Sequence, residues 1–396
     1  MELNRKDINP FKSFWMGGFE CADHLNSIGK RVDYLNLTAH LELIKEDYSR
    51  LKDYSISTVR EGVRWSQVEI RPYEYDFSTV KYMLKVAEEY KIQQIWDICH
   101  FGFPGDLSPL HPHFTERFVG ICKAFANCCL TETPNDNQLI LTPINEVSFL
   151  SWLGGEVGGT SPYTVRNGWE VKYALMRAYI QGVKALKDLD PRIRILTTEP
   201  LVNIVPPRFA SDGVVLEAAI SHDLQYQSVD MLCGRICPEL GGKPEYVDIL
   251  GFNFYYNNQW ELGFNKFLPW ANEVPDPRWR SLSSLLIEAY QRYNKPIILA
   301  ETSHPGEDRP LWIDFITKEI SKLIKTIPFW GVCLYPIIDR PDWDDLDYWH
   351  HSGLWDNTAK ESPTERVLNK PYAEALLLNQ NLLKHLTKDT FQIYLI

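Results

Sequence analysis

Two glutamates stand in matching local settings. Glu146 follows Leu-Ile-Leu-Thr-Pro-Ile-Asn and Glu301 follows Pro-Ile-Ile-Leu-Ala, so each closes a short hydrophobic run with a carboxyl group. Two carboxyls brought face to face suit glycoside hydrolysis: one, kept protonated, gives its proton to the departing oxygen, and the other, ionised, attacks the anomeric carbon. The acid's pKa must then be raised by burial and by its partner's charge. A single such glutamate could equally be a rim residue paired with an arginine. Two in the same context favour chemistry.

The elements that must position them are strands followed by helices. Short apolar runs at 13–18, 57–63, 92–99, 138–145, 193–199, 247–254, 296–301 and 331–337 read as strands. Segments of helical period lie between and after them, at 38–54, 77–90, 115–130, 165–188, 214–225, 282–293, 311–326 and 372–385. In 38–54 the residues Leu41, Ile44, Tyr48 and Leu51 share one face. Eight strand–helix units with right-handed crossovers close most simply into a TIM (β/α)8 barrel, expected as one catalytic domain over residues 1–396. A doubly wound open sheet would need a glycine-rich phosphate turn after its first strand, and Phe14-Trp15-Met16-Gly17-Gly18-Phe19 leads into no such helix start. The stretch 268–280 reads as a surface loop after the sixth strand, and 384–396 as an appendage.

Barrel chemistry sits where strands end. Those positions carry His24 and Arg60, His100, Asn145 and Glu146, Glu199, Asn253, Tyr255 and Asn258, Glu301, and Tyr335, Asp339, Arg340, Asp342 and Trp343. Stability does not require polar and aromatic groups there.

Composition narrows the class. The net charge of −11, from 52 acidic and 41 basic residues without a basic run, argues against a nucleic-acid partner. No stretch approaches the ~20 apolar residues of a membrane span. Eight scattered cysteines without a CxxC pair, and an amino terminus without an apolar leader, point to a reducing cytoplasm. The 13 Trp and 20 Tyr are mostly core material, with a minority available to stack on sugar rings. His111-Pro-His113 has the spacing of a metal pair but lies in a proline-flanked loop, and the acidic run 342–347 lacks EF-hand spacing. The expectation is therefore no metal, no cofactor, and a carbohydrate or glycoside as partner.

The ordered set of segments 14–24, 59–69, 100–104, 143–147, 248–256, 296–301 and 331–343 resembles glycoside hydrolase family 1, the retaining β-glucosidases and β-galactosidases. The resemblance recurs at seven of the eight strands in order, through about residue 356. It implies Glu146 as acid/base and Glu301 as nucleophile, with Arg60 beside Glu301, Asn145 on the sugar 2-hydroxyl and Tyr255 donating to the nucleophile. His100 would meet the 3-hydroxyl, and His24, Tyr335, Asp342 and Trp343 would line the sugar pocket. Departures cluster in that pocket. The family's Gln is His24, its eighth-strand Trp is Tyr335, and its glycone-reading Glu is Asp342. The usual Asn-Glu-Pro reads Asn145-Glu146-Val147, and Thr-Glu-Asn-Gly reads Ala300-Glu301-Thr302-Ser303. Arg64 and Arg340 are additional cations near the mouth, expected to pair with Glu61, Asp339 or Asp342 rather than with an acidic sugar.

Two alternatives stand beside a retaining β-glycosidase. One is a barrel that binds sugar without cleaving it, for which Arg60, Asn145 and Tyr255 would have little use. The other is a retaining hydrolase from another family of the same clan, sharing the acid, the nucleophile and Arg60 but differing in its sugar.

Overall fold

A computed structural model describes residues 8–133, 138–263, 266–271, 276–357 and 364–391, with side chains through residue 384. Eight parallel strands close on themselves: β1 Trp15–Gly18, β2 Thr58–Gly62, β3 Gln93–Cys99, β4 Ile140–Ile144, β5 Arg194–Pro200, β6 Ile249–Asn253, β7 Ile297–Thr302 and β8 Phe329–Leu334. Each strand pairs with its sequence neighbours, and β1 pairs with β8 to complete the ring. All eight expected strands are present, and the fold is the (β/α)8 barrel. No helix among the described residues is long and apolar enough to cross a membrane.

Alternation along the strands sorts side chains into two cores. Met16, Ile95, Ile140, Leu196, Ile249, Ile298 and Cys333 fill the barrel interior. The opposite faces join the larger core beneath the helices α1 His40–Leu51, α2 Ser78–Tyr90, α3 Phe114–Glu132, α4 Gly168–Leu189, α5 Asp212–Asp223, α6 Leu282–Tyr293, α7 Arg309–Ser321 and α8 Lys370–Phe391. In α1, Ile44, Tyr48 and Leu51 are fully buried and Leu41 packs at their margin, the face expected from the spacing. Gly18 serves a close approach: a Cβ there would lie 2.0 Å from the Tyr335 ring, which occupies the space above β1.

Three expectations change. Helix α5 forms but has only Ala218 buried, and the barrel beside it is covered instead by the short helix Gln227–Leu232, which buries Val229, Met231 and Leu232. Its sequence is apolar on too many sides to reveal a single inward face. The stretch 268–280 is not merely a surface loop. Leu268 is buried, and Trp270 packs against His304, Trp312 and Phe315, while residues 272–275 lie outside the described ones. Helix α8 runs on to Phe391, past the expected helix end at residue 385, and residues 392–396 of the expected appendage lie outside the described ones.

Candidate active site

The mouth is organised by Arg60 in the middle of β2. All five of its guanidinium N–H donors have acceptors. Nε and Nη2 donate to the Asp97 carboxylate at 3.0 and 2.6 Å, and Nη2 also donates to Asn145 Oδ1 at 2.7 Å. Nη1 donates to Glu301 Oε1 at 2.6 Å and to the Ala300 carbonyl at 3.3 Å. Such a fork fixes planar carboxylates in direction as well as distance. Burial opposes the charge of Asp97, but Arg60 and His100 outweigh it and hold that carboxyl below its ordinary range.

Glu301 is 5 % exposed at the end of β7, and its second oxygen accepts a hydrogen bond from the Tyr255 hydroxyl at 2.7 Å. Tyr255 is itself aimed by Asn258, whose Oδ1 accepts the Tyr255 N–H and whose Nδ2 donates to the Leu201 carbonyl. Both Glu301 oxygens are thus met by donors, an environment made for an anion.

Glu146 follows β4 with φ of 43°, a left-handed conformation that costs a residue with a Cβ roughly 1–2 kcal/mol. Its backbone N–H is anchored to the Thr198 carbonyl at 2.8 Å, and the helical turn Val147–Leu150 begins immediately after it. The half-buried side chain accepts from Asn253 Nδ2 at 2.9 Å. Asn253 is also the register partner of Glu301 on the neighbouring strand. Burial, followed by the negative charge of Glu301, pushes the Glu146 carboxyl well above its usual pKa. One mouth therefore holds a carboxyl pressed toward its protonated form beside one held by cationic and hydroxyl donors.

The remaining candidates divide. Asn145 is fully buried between Arg60 and His100, donating from Nδ2 to His100 Nε2 at 3.1 Å, while His100 Nδ1 meets Asp97 at 2.8 Å. The structure therefore places His100 as part of the strut that supports Arg60. Tyr335 is buried, and its hydroxyl donates to Glu20 at 3.2 Å and lies 3.7 Å from Cys21 Sγ. His24 is fully buried against Trp343, with ring centroids 4.0 Å apart, and neither of its ring nitrogens meets a hydrogen-bond partner among the described residues. Burial, with help from Arg340 and His100, lowers its pKa to about 3, leaving a neutral ring. Trp343 continues into Phe101 and Phe149, and Phe149 into the exposed Trp152, forming an aromatic lip.

Asp342 does not join this group. Its Oδ1 accepts the N–H groups of Asp344 and Asp345, and its Oδ2 lies 3.3 Å from His350, so the carboxylate serves its own loop. The extra arginines are ion-paired as expected but with other partners. Arg64 meets Asp33 at 2.6 Å, and Arg340 meets Glu20 at 3.3 Å while lying over the Tyr34 ring. Glu61 points away from the mouth, to His40 and Tyr48. His111 and His113 are exposed on their loop.

Among the described residues two trios bring possible ligand atoms within 4.8 Å: Cys21, Asp97 and His100, and Asp339, His351 and Asp356. In the first, Asp97 already carries the Arg60 fork; in the second, Asp356 is held by Arg309 at 2.7 Å.

Sequence reasoning passed over Asp97, Glu20 and the bond from Asn253 to Glu146. For Asp97 a signal existed: an acid inside Gln-Ile-Trp-Asp-Ile-Cys needs a buried cation, and Arg60 is the strand-end arginine nearest in the strand order.

This arrangement defines a (β/α)8 barrel with two carboxyls facing one another's charge at the carboxyl ends of its strands. No protein-family model matches the sequence, and no curated protein matches it. Solved structures do match. The virulence factor SghA from Agrobacterium tumefaciens superposes with a TM-score of 0.70 at 15% identity, over 94% of this chain and 98% of that one. The family 1 β-glucosidase from Thermotoga maritima superposes at 0.67 and 14% identity, over 95% and 99%. SghA in complex with its substrate analog salicin gives 0.69 and 15%, over 86% of each chain. The chain thus shares its fold with solved family 1 β-glucosidases, the family whose motifs its strand ends resemble.

Proposed function

We propose that this chain is a retaining β-glycosidase, one barrel domain working without a metal or cofactor. The observation that carries the reading is the opposite treatment of the two carboxyls. Glu301 is gripped by Arg60 and Tyr255, while Glu146 is driven toward its protonated form. In the first step Glu301 attacks the anomeric carbon as the glycosidic C–O bond breaks, and the Glu146 proton passes to the leaving oxygen. In the second, water attacks the glycosyl ester, Glu146 takes a proton from it, and Glu301 is released. As sugar charge develops and Glu301 loses its own, Arg60 and Tyr255 keep the nucleophile aligned, and Asn145 is set to hydrogen-bond the 2-hydroxyl. The fold shared with family 1 β-glucosidases, one of the matching structures being the SghA complex with its substrate analog salicin, supports a β-glycoside as substrate. Trp343 would line the sugar pocket, with the buried His24 packed behind it. The eight cysteines, all free thiols, fit a reducing compartment, the cytoplasm.

A 2-deoxy-2-fluoro-glycosyl fluoride should trap the enzyme, with intact mass showing one added sugar and peptide mapping placing it on Glu301. Glu301→Gln should abolish turnover. Glu146→Ala should retain the glycosylation step on dinitrophenyl glycosides, and its slowed second step should be partly rescued by azide, which attacks the intermediate without a base. A product of inverted anomeric configuration by NMR, or a label on another residue, would refute the mechanism.

A further inference from the structure

Glu199 is the next-to-last residue of β5, one position beyond Thr198, whose carbonyl accepts the Glu146 N–H. Strand alternation sends Ile195, Thr197 and Glu199 toward the helices and Leu196 toward the barrel axis. Glu199 is only 3 % exposed and lies behind Glu146, away from the mouth. Its Oε2 accepts the Ser148 N–H at 3.1 Å, and the Val147 N–H also acts on the carboxyl.

Those two N–H groups are the first donors of the turn that Glu146 opens, and a helix start leaves them without intrahelical acceptors. The residue before a helix ordinarily caps it with its own side chain. Glu146 occupies that position and makes no capping bond, because its carboxyl turns away to Asn253. Glu199 supplies from the next strand the cap that Glu146 forgoes. A cavity of about 10 Å3, lined by Tyr179, Thr197, Thr198 and Ser228, borders the carboxyl and is of a size for about one water. At 3 % exposure the carboxyl is nearly withdrawn from bulk solvent.

We propose that Glu199 is a positioning residue for Glu146, capping from behind the helical turn that Glu146 opens and thereby leaving the Glu146 carboxyl free to face the mouth. The left-handed backbone at Glu146 is then held on both sides, by Thr198 through its N–H and by Glu199 through the turn that follows. Burial raises the pKa of Glu199 itself, and in its ionised form its charge adds to burial and Glu301 in raising that of the acid. The half-buried Lys172 faces Glu199 and offsets part of the burial of its charge. This inference rests on the reading of Glu146 as acid/base.

Two variants separate cap from charge. Glu199→Gln keeps the volume and an acceptor but loses the charge, whereas Glu199→Ala loses both. Each is assayed on a dinitrophenyl and an unactivated phenyl glycoside of the same sugar, because only the poor leaving group needs the acid. For Glu199→Ala we expect kcat/KM on the phenyl glycoside to fall about tenfold or more beyond its fall on the dinitrophenyl one. For Glu199→Gln the basic limb of the kcat/KM profile should move down by about half a pH unit or more. Should the alanine variant fail to fold, Glu199→Met, which keeps most of the volume but has no acceptor for the Ser148 N–H, is assayed in its place with the same expected outcome. Equal losses on both leaving groups with an unmoved basic limb, in a wild type that is labelled on Glu301, would overturn this inference alone. A wild type that neither turns over nor becomes labelled would overturn the reading beneath it.

Discussion

Arg60→Lys asks whether the mouth needs a fork or only a positive charge. Arg60 is 1 % exposed and uses all five donors, on Asp97, Asn145, Glu301 and the Ala300 carbonyl. A lysine ammonium has three donors on a single atom, so at least two of these bonds must go. If the ammonium follows Asp97, Glu301 loses its 2.6 Å partner; if it follows Glu301, Asp97 and Asn145 lose theirs. Hydrogen bonds to charged groups contribute about 1.5–3 kcal/mol each, so two lost bonds amount to about 3 kcal/mol at the low end. Borne by the transition state, that is roughly a 100-fold loss in kcat/KM. Arg60→Met should do worse, leaving two buried carboxylates unpaired at a cost of about 3–5 kcal/mol. The assay is steady-state kinetics on a dinitrophenyl glycoside beside thermal unfolding, which separates a lost nucleophile clamp from a loosened barrel. An Arg60→Lys enzyme within about threefold of wild type, with unchanged Tm, would refute the argument that the planar fork matters.

The other predictions concern stability and the sugar wall. His40 is fully buried between Asp47 at 2.9 Å and Glu61 at 3.1 Å. Burial alone would lower its pKa, but the charge of Glu61 and the hydrogen bonds to Asp47 and Glu61 raise it from 6.5 to about 9. The folded state therefore holds this proton more tightly than the unfolded one. Its stabilisation, about 3 kcal/mol, is fully present below pH ~6.5 and lost as pH rises through about 9. Urea midpoints of wild type should fall more steeply over that window than those of His40→Gln, and parallel curves would rule the linkage out. At the sugar wall, Asp342→Glu should leave the order of preference among aryl glucoside, galactoside, mannoside, fucoside and glucuronide unchanged, since Asp342 is occupied by its own loop. Trp343→Ala should raise KM by about fivefold through a lost stacking face worth ~1 kcal/mol. The opposite pattern would return Asp342 to the pocket.

The sequence by itself determined the barrel and its paired glutamates. Strand and helix periods are local, set by alternating burial over four to eight residues and by the 3.6-residue face, so the eight strands could be read without knowing what they pack against. Barrel closure then places strand ends at one mouth, which is why Glu146 and Glu301 could be singled out by position and context, while the resemblance to family 1 picked Arg60, Asn145 and Tyr255 from the longer strand-end list. What the sequence did not reveal is where each polar group spends its hydrogen bonds. Asp342 lies next to Trp343 in the chain and was expected beside it in the pocket, yet two backbone N–H groups of its own loop claim it. Arg340 was assigned to neighbours in sequence and meets Glu20 just after β1, because β1 and β8 adjoin only once the barrel has closed. Asp97 at the centre of the Arg60 fork and Glu199 behind Glu146 act across strands for the same reason. Pairing across the ring depends on register and on which face each residue takes, and tertiary structure alone decides both.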